Sequence, residues 1–373
     1  MTILINLFKV YLKVIYFFLK LLKTDNKKIL LLSRQYNKKS IDYIMIKENL
    51  NRRYPDYKIV ILAKKLNKKN ILNYFFHIHT QMYHLATSKV CLLDTYIIPV
   101  SLLKHKKSLT IIQLCHGVGN VKQFAYQTLD KESGHSKKIS KLMKMHCNYD
   151  YLVSTSKATS EFYSKAFNMS VDKMVNFGPP KIDYILKVKN KKKEVLNTYP
   201  KLKSKPVILY VSTFRTYDDN YLEKFIKKFP FDKYNLIINI HPVSYKYNPD
   251  IDKYVTDDRV FRCSEFSTVD LLSVADIAIT DYSSFMFEST ILNIPTYLYV
   301  PDYDKYTKYN GLNVDIFKEL PGCVYKDEKE LFKVIQSNKY DKKILKKFKD
   351  RYIENCDGTS TDKLVDFMIS KTK

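Results

Sequence analysis

Asp276-Ile-Ala-Ile-Thr-Asp-Tyr-Ser-Ser-Phe-Met-Phe-Glu288 is the stretch on which the reading of this chain turns. Ile277–Thr280 is apolar and β-prone, Asp281 and Tyr282 form a turn, and Ser283 and Ser284 supply N-cap chemistry for a helix ending near Asn293, ahead of Pro295. A buried strand running into a helix leaves free N–H groups and the positive end of the helix dipole facing open space. That end favours an anion by about 0.3–1 kcal/mol when exposed. Glu288 lies one turn further on, along the face of Ser284, within reach of a ribose hydroxyl. A strand, two serines and a helix also make a purely structural cap, so the surrounding residues decide.

Moving outward, short apolar runs alternate with helical stretches: 29–33, 58–63, 90–93, 109–114, 151–154 and 174–177, then 207–212, 236–240, 260–262, 277–280 and 296–300. The lysine-rich segment 187–205 separates the two sets. Alternation of this kind predicts βα units on parallel sheets, hence an α/β chain of two doubly wound, Rossmann-like domains facing a cleft, with ligands at the carboxyl ends of the strands. The expected division is residues 1–23 as an amphipathic helix, 24–187 as an N-terminal domain and 188–373 as a C-terminal domain. No repeat and no G-x-G-x-x-G fingerprint occurs; His116-Gly-Val-Gly119 contains only G-x-G.

The chain carries 64 Lys and Arg against 38 Asp and Glu, a formal charge of +26, which calls for an anionic partner: nucleic acid, an acidic membrane surface or a phosphorylated polymer. The lysines are dispersed, and no compact basic helix or aromatic RNA-binding signature is present, so no nucleic acid is expected. Six widely spaced cysteines without a C-x-x-C fit a reducing compartment better than a disulfide framework or a zinc site. His77, His79 and His84 sit among aromatics without a carboxylate or thiolate nearby, which disfavours a metal there.

Residues 1–23 are apolar but interrupted by Lys9, Lys13, Lys20 and Lys23, and no small-residue cleavage site follows. At 100° per residue Thr2, Asn6 and these lysines share one helical face, the pattern of a helix lying in an anionic membrane interface without spanning it. The competing reading packs this helix on the protein's own second domain. If the helix serves only the interface, removing residues 1–22 should leave the fold intact.

His116 and His241 stand at the predicted carboxyl ends of strands, one in each half. A histidine there faces a cleft and can exchange a proton at neutral pH. Gly117 and Gly119 would let substrate approach the backbone beside His116, and Lys122 would fall on the first turn of a following helix. Ser212-Thr-Phe-Arg215 ends a strand with hydroxyls and a guanidinium suited to bidentate phosphate contact, an ion pair with Asp218 or Asp219 being the structural alternative. Asp357-Gly-Thr-Ser-Thr361 caps a helix that could cross back to the first domain.

Gln113-Leu-Cys-His-Gly-Val-Gly-Asn-Val-Lys-Gln-Phe-Ala-Tyr126, Ser212-Thr-Phe-Arg215, His241-Pro242, the opening stretch, Pro301-Asp-Tyr-Asp304, Tyr309-Asn-Gly311, Leu320-Pro-Gly322 and Asp357-Gly358 occur in that order. The series resembles the CDP-glycerol glycerophosphotransferase family of teichoic acid synthesis. That resemblance implies a GT-B fold with 24–187 as the acceptor-side domain and 188–373 as the CDP-donor-binding domain, peripheral attachment to the cytoplasmic face of the membrane, and transfer of glycerol phosphate from CDP-glycerol to a lipid-linked acceptor with release of CMP. It implies His116 as general base and His241 as a contact to the donor pyrophosphate. Arg215, Ser283 and Ser284 would act as phosphate ligands, and Glu288 as the ribose ligand. Gly117, Lys122 and Asp281 are further cleft candidates, and neither a cofactor nor a metal is called for. Cys115 stands where an aromatic is usual, Glu288 where Asp is common, and Lys363 where arginine is frequent, which leaves CDP-ribitol or a nucleotide-sugar donor of capsule assembly as alternatives.

Overall fold

The computed structural model describes residues 2–35, 37–66, 71–115, 117–215, 217, 220–240, 244–247, 251 and 258–373. The chain forms two compact units: one from Met1–Val118, Phe124–Asp183 and Asn355–Lys373, the other from Gly119–Gln123 and Tyr184–Glu354. The boundary therefore falls at 183/184, four residues before the expected one. Two segments also change sides, since Gly119–Gln123 joins the second unit and the C-terminal residues join the first.

The first unit is built on six parallel strands, β1 (Lys28–Ser33), β2 (Lys58–Ala63), β3 (Val90–Leu93), β4 (Thr110–Gln113), β5 (Tyr151–Val153) and β6 (Met174–Val175), in the order β2-β1-β3-β4-β5-β6. Strand side chains alternate between faces, and here both faces are covered. Leu30, Leu32, Cys91, Leu93 and Ile111 pack on one side with the helix Ile71–Thr87. Ile29, Leu31, Val90, Leu92 and Ile112 pack on the other with Ile41–Arg53 and the C-terminal helix Ser360–Ser370. This is why the strands read as unbroken apolar runs.

The second unit has β7 (Val207–Val211), β8 (Asn235–Asn239), β9 (Val260–Phe261), β10 (Ile277–Thr280), β11 (Thr296–Tyr299) and β12 (Val324–Tyr325), all parallel, in the order β12-β11-β10-β7-β8-β9. Read from the other edge this is the 3-2-1-4-5-6 order of a dinucleotide-binding sheet, and its order reverses between β7 and β10. In the first unit the reversal lies between β1 and β3. These two switch points are where a parallel sheet opens a crevice for ligands.

The N-terminal helix spans Thr2–Leu19. Leu12 and Tyr16 are 0% and 1% exposed and pack in the first unit against the helix Ile71–Thr87, with the Tyr16 hydroxyl 2.8 Å from His105 Nδ1. The opposite face shows Ile3, Leu4, Leu7, Val10, Val14, Phe17 and Phe18 to solvent. The helix thus has a core side as well as a free apolar side, and its internal contacts are with the first unit. Burial of side chains the size of Leu12 and Tyr16 stabilises by about 1.5–3 kcal/mol each, so excising residues 1–22 would damage the unit. His79, from the histidine cluster, has both ring nitrogens occupied, by the Tyr11 hydroxyl and the Phe75 carbonyl at 2.9 Å each.

The C-terminal helix is held by Asp183. Its buried carboxylate accepts from the Ser360 and Thr361 amides at 3.1 and 2.7 Å and from the Thr361 hydroxyl at 2.6 Å. Asn49 adds a bond to Asp362 at 2.6 Å. Asp183→Ala strands three buried donors, so chemical denaturation should show a loss of at least about 1–3 kcal/mol in the first unit. An unaltered midpoint would show that apolar packing alone seats the helix.

Candidate active site

The stretch that opened the sequence reading lies at the switch point of the second unit. β10 delivers Asp281 and Tyr282 into the turn, and the helix that follows runs Phe285–Ile291, closed by Asn293 in the left-handed region at φ 55°. Ser283 Oγ accepts from the Phe285 amide at 3.3 Å. Ser284 occupies the N-cap position without a side-chain capping bond, so its hydroxyl does not serve the helix. Both serines are half-buried, and Glu288 is buried within the helix at 4% exposure.

Arg215, at the end of the turn after β7, is not an open phosphate ligand. Its side chain is 2% exposed. Nε and Nη2 donate to the two oxygens of Asp302 at 2.6 and 3.0 Å, while Nη1 donates to Asp281 at 2.8 Å and to the Thr213 carbonyl at 2.8 Å. The guanidinium also lies 4.3 Å from the Tyr221 ring. Its partners are therefore Asp281 and Asp302, not the neighbouring Asp218 or Asp219 of the sequence-based alternative, both of which lie outside the described residues. Asp281 in turn accepts from the Thr213 amide at 2.9 and 3.0 Å and from the Tyr282 amide at 2.6 Å, which fixes the turn ahead of the serines.

Asp302 receives further hydroxyls, from Tyr217 at 2.7 Å and Tyr282 at 3.1 Å. Burial by itself would raise its pKa, but the bonds and charge of Arg215, with those two hydroxyls, outweigh it and hold the carboxyl below the usual range. Tyr282 stacks on Tyr306 with centroids 3.8 Å apart and 7° between planes, closing the apolar side of the cluster.

Lys122 is not helical. It forms an antiparallel bridge with Leu312, because Gly119–Gln123 is laced to the Asn310–Asn313 segment. The Gln123 amide reaches the Gly311 carbonyl at 3.0 Å, the Asn313 amide reaches the Val121 carbonyl at 2.7 Å, and the Asn310 side chain bonds the Gln123 carbonyl at 2.9 Å. Gly311 has φ 87°, a conformation that suits glycine. The half-buried Lys122 amine has its pKa lowered by burial, with Asp281 opposing and Arg215 adding to the shift. Gly119 leaves room for protein instead of substrate: a Cβ there would stand 2.8 Å from the Phe287 ring. Gly117 is half-buried in the first unit.

His116 and His241 lie outside the described residues. Their strands end within one residue of the expected positions, β4 at Gln113 and β8 at Asn239. Cys115, directly before His116, is buried with φ 60°, a conformation uncommon for a residue with a side chain. Sequence reasoning missed Asp302, although Pro301-Asp-Tyr-Asp304 was among the quoted motifs. The sequence gives that segment no visible partner, since its contact to Arg215 spans 87 positions.

Arg215→Ala would leave two buried carboxylates without their cation, and the second unit is expected to lose about 3–5 kcal/mol, read by urea denaturation. An unchanged midpoint would remove the network from this role. Because the folded pKa of Asp302 is depressed, its contribution is complete above the unfolded value of about 3.9 and is lost as pH falls through the folded value. Asp302→Asn should therefore flatten the stability profile below about pH 4 relative to the native sequence.

The profile of the family described as CDP-glycerol:poly(glycerophosphate) glycerophosphotransferase matches residues 14–370. The chain is 30% identical over 365 residues to the teichoic acid ribitol-phosphate primase of Bacillus spizizenii, covering 94% of this chain and 92% of that protein. It is 30% identical over 391 residues to the teichoic acid glycerol-phosphate primase of Bacillus subtilis, covering 98% of each. The solved wall teichoic acid polymerase TagF has a TM-score of 0.74 at 21% identity, over 100% of this chain and 97% of the other, so the fold is GT-B-like. With a match that runs nearly from end to end and relatives covered over almost their full length, the chain belongs to the CDP-glycerol:poly(glycerophosphate) glycerophosphotransferase family.

Proposed function

We propose that this chain transfers glycerol phosphate from CDP-glycerol to a hydroxyl of a lipid-linked acceptor, releasing CMP, in the synthesis of teichoic acid or a related surface polymer at the cytoplasmic face of the membrane. The observation that carries this reading is the family match across residues 14–370, and the position of the turn Asp281 to Ser284 at a switch point supports assigning the donor phosphates to it.

In this reading His116 takes the proton of the acceptor hydroxyl, whose oxygen attacks the phosphorus on the glycerol side of the donor pyrophosphate. The bond from that phosphorus to the bridging oxygen breaks, and CMP leaves with the oxygen. His241 contacts the pyrophosphate and stabilises charge on the leaving side. Ser283 and Ser284 hold phosphate oxygens through hydroxyls and first-turn amides, Glu288 meets the ribose, and Lys122 supplies positive charge nearby. Arg215 acts one step back, keeping the turn in register through Asp281. Phosphoryl transfer rests mainly on positioning and charge stabilisation, which such an array provides.

A second reading takes CDP-ribitol as donor. It is favoured by the ribitol-phosphate primase relative, which is as similar as the glycerol-phosphate one. CMP release from CDP-glycerol and CDP-ribitol in parallel, with a synthetic lipid-linked disaccharide with and without a glycerol-phosphate primer, separates the two. Release from neither would sink the function. His116→Ala is expected to lower turnover by about 10²–10⁴ while circular dichroism stays unchanged. Near-normal turnover would take the base role from His116.

The free apolar face of the N-terminal helix, with its flanking lysines, supports a peripheral, monotopic attachment to an anionic bilayer. Val14→Glu with Phe17→Glu removes two exposed apolar side chains, worth about 1.5–3 kcal/mol each when buried in lipid. Co-sedimentation with phosphatidylglycerol vesicles should fall at least about tenfold at unchanged thermal stability. Undiminished binding would assign that face to another partner.

A further inference from the structure

The switch point of the first unit, between β1 and β3, carries a polar cluster that nothing above uses. β1 ends at Ser33 and hands over to Arg34; β3 ends at Leu93 and hands over to Asp94, Thr95 and Tyr96. The Arg34 amide donates to the Thr95 hydroxyl at 3.2 Å, which ties the two strand ends together. The Arg34 guanidinium lies 5.1 Å from the Tyr96 ring and in reach of the Tyr74 hydroxyl, yet makes no hydrogen bond of normal geometry among the described residues. Asp94 is 4% exposed; the Ser33 and Thr95 side chains bond its carboxylate, and Oδ1 has no partner of normal geometry among the described residues.

The neighbours are under-bonded too. Tyr74 Oη and the Gln81 amide, both on the helix Ile71–Thr87, lie within reach of one another without a hydrogen bond of normal geometry, and Gln113 Oε1, at the end of β4, is buried without a partner among the described residues. Each buried polar atom left unpaired costs about 1–3 kcal/mol, so several beside one crevice indicate a site that something polar completes. The set combines a half-buried guanidinium held by no carboxylate among the described residues with neutral donors and acceptors and one carboxyl, which is the complement of a phosphate attached to a polyol. β4, the strand beside β3, leads three residues past its end to His116, the base assigned to the acceptor hydroxyl.

We propose that the β1/β3 crevice of the first unit holds the phosphate-bearing polyol end of the acceptor, Arg34 taking the phosphate and Asp94 accepting from a polyol hydroxyl. Tyr74, Gln81 and Gln113 surround that end as neutral hydrogen-bonding groups. Arg34 and Asp94 are specificity-determining residues in this assignment and take no part in bond making. The inference rests on the transferase reading for the identity of the ligand, while the unpartnered atoms stand without it.

Calorimetric or NMR titration of the full chain with sn-glycerol 3-phosphate, glycerol and a soluble disaccharide diphosphate lacking the polyol tests it. Glycerol 3-phosphate should bind, and Arg34→Met should weaken it about tenfold or more, with Arg34→Lys intermediate. Asp94→Asn should weaken glycerol 3-phosphate and leave inorganic phosphate unchanged. Affinity for CDP-glycerol should stay within about twofold in all three variants, and in turnover assays the acceptor KM should rise with kcat little changed.

Glycerol 3-phosphate binding unaltered by both Arg34→Met and Asp94→Asn would mean that ordered water alone fills the crevice. A parallel fall in CDP-glycerol affinity would move these residues to the donor. Dependence of the disaccharide diphosphate, but not glycerol 3-phosphate, on Arg34 would give the site to the lipid diphosphate. Each of these outcomes overturns the assignment. Failure of the transferase reading is seen separately, as absence of CMP release by the native sequence, and leaves the titrations just as decisive.

Discussion

One guanidinium organises the second unit. Arg215 leaves the end of β7, reaches Asp281 at the end of β10, and grips Asp302 just beyond β11, so three adjacent parallel strands are clipped together at their carboxyl ends. A buried pair of this kind is weak as a source of net stability, because desolvation offsets most of the Coulomb gain. Its value is geometric. With all its strong donors satisfied by carboxylates and a carbonyl, Arg215 has few orientations open to it, and the turn carrying Ser283 and Ser284 inherits that rigidity through Asp281. The phosphate site proposed there would depend on such support, since first-turn amides and short hydroxyls cannot themselves adjust.

Much of this was legible in the amino-acid order, and the limits have physical causes. Strands packed in a parallel sheet announce themselves as continuous apolar runs, so β1 to β11 were all legible, most plainly from residues such as Leu30, Leu92, Ile237 and Leu298. β12 is two residues long and carries no periodicity to detect. The turn at Asp281 was read as a place for phosphate, but local sequence could not show that Asp281 is spent on Arg215, because the partners are 66 positions apart. Lys122 was expected on a helix since Gly-Asn-Val-Lys reads as a helix start. What prevails is pairing to Asn310–Asn313, a tertiary contact between segments about 190 residues apart.

The N-terminal helix shows how an amphipathic pattern can hold two messages. Its lysines marked a polar arc, and the remaining apolar arc was wide enough to serve two environments. Leu12 and Tyr16 face the protein, while Leu4, Leu7 and Val14 do not. Width of the apolar arc, more than its depth, was the clue that one partner could not cover it.

The C-terminal helix has a consequence for how the molecule comes into being. Its Leu364, Val365 and Met368 complete one of the two cores of the first unit, whose sheet is made of residues 28 to 175. On the ribosome the second unit therefore has its whole chain in hand before the first does, although the first is begun earlier. Until residue 370 emerges, the face of β1 and β3 bearing Ile29 and Leu92 lacks its cover and presents apolar surface to the cell. Termination between residues 355 and 370 would produce a chain with an intact second unit and an unfinished first one, a species suited to recognition by chaperones and proteases.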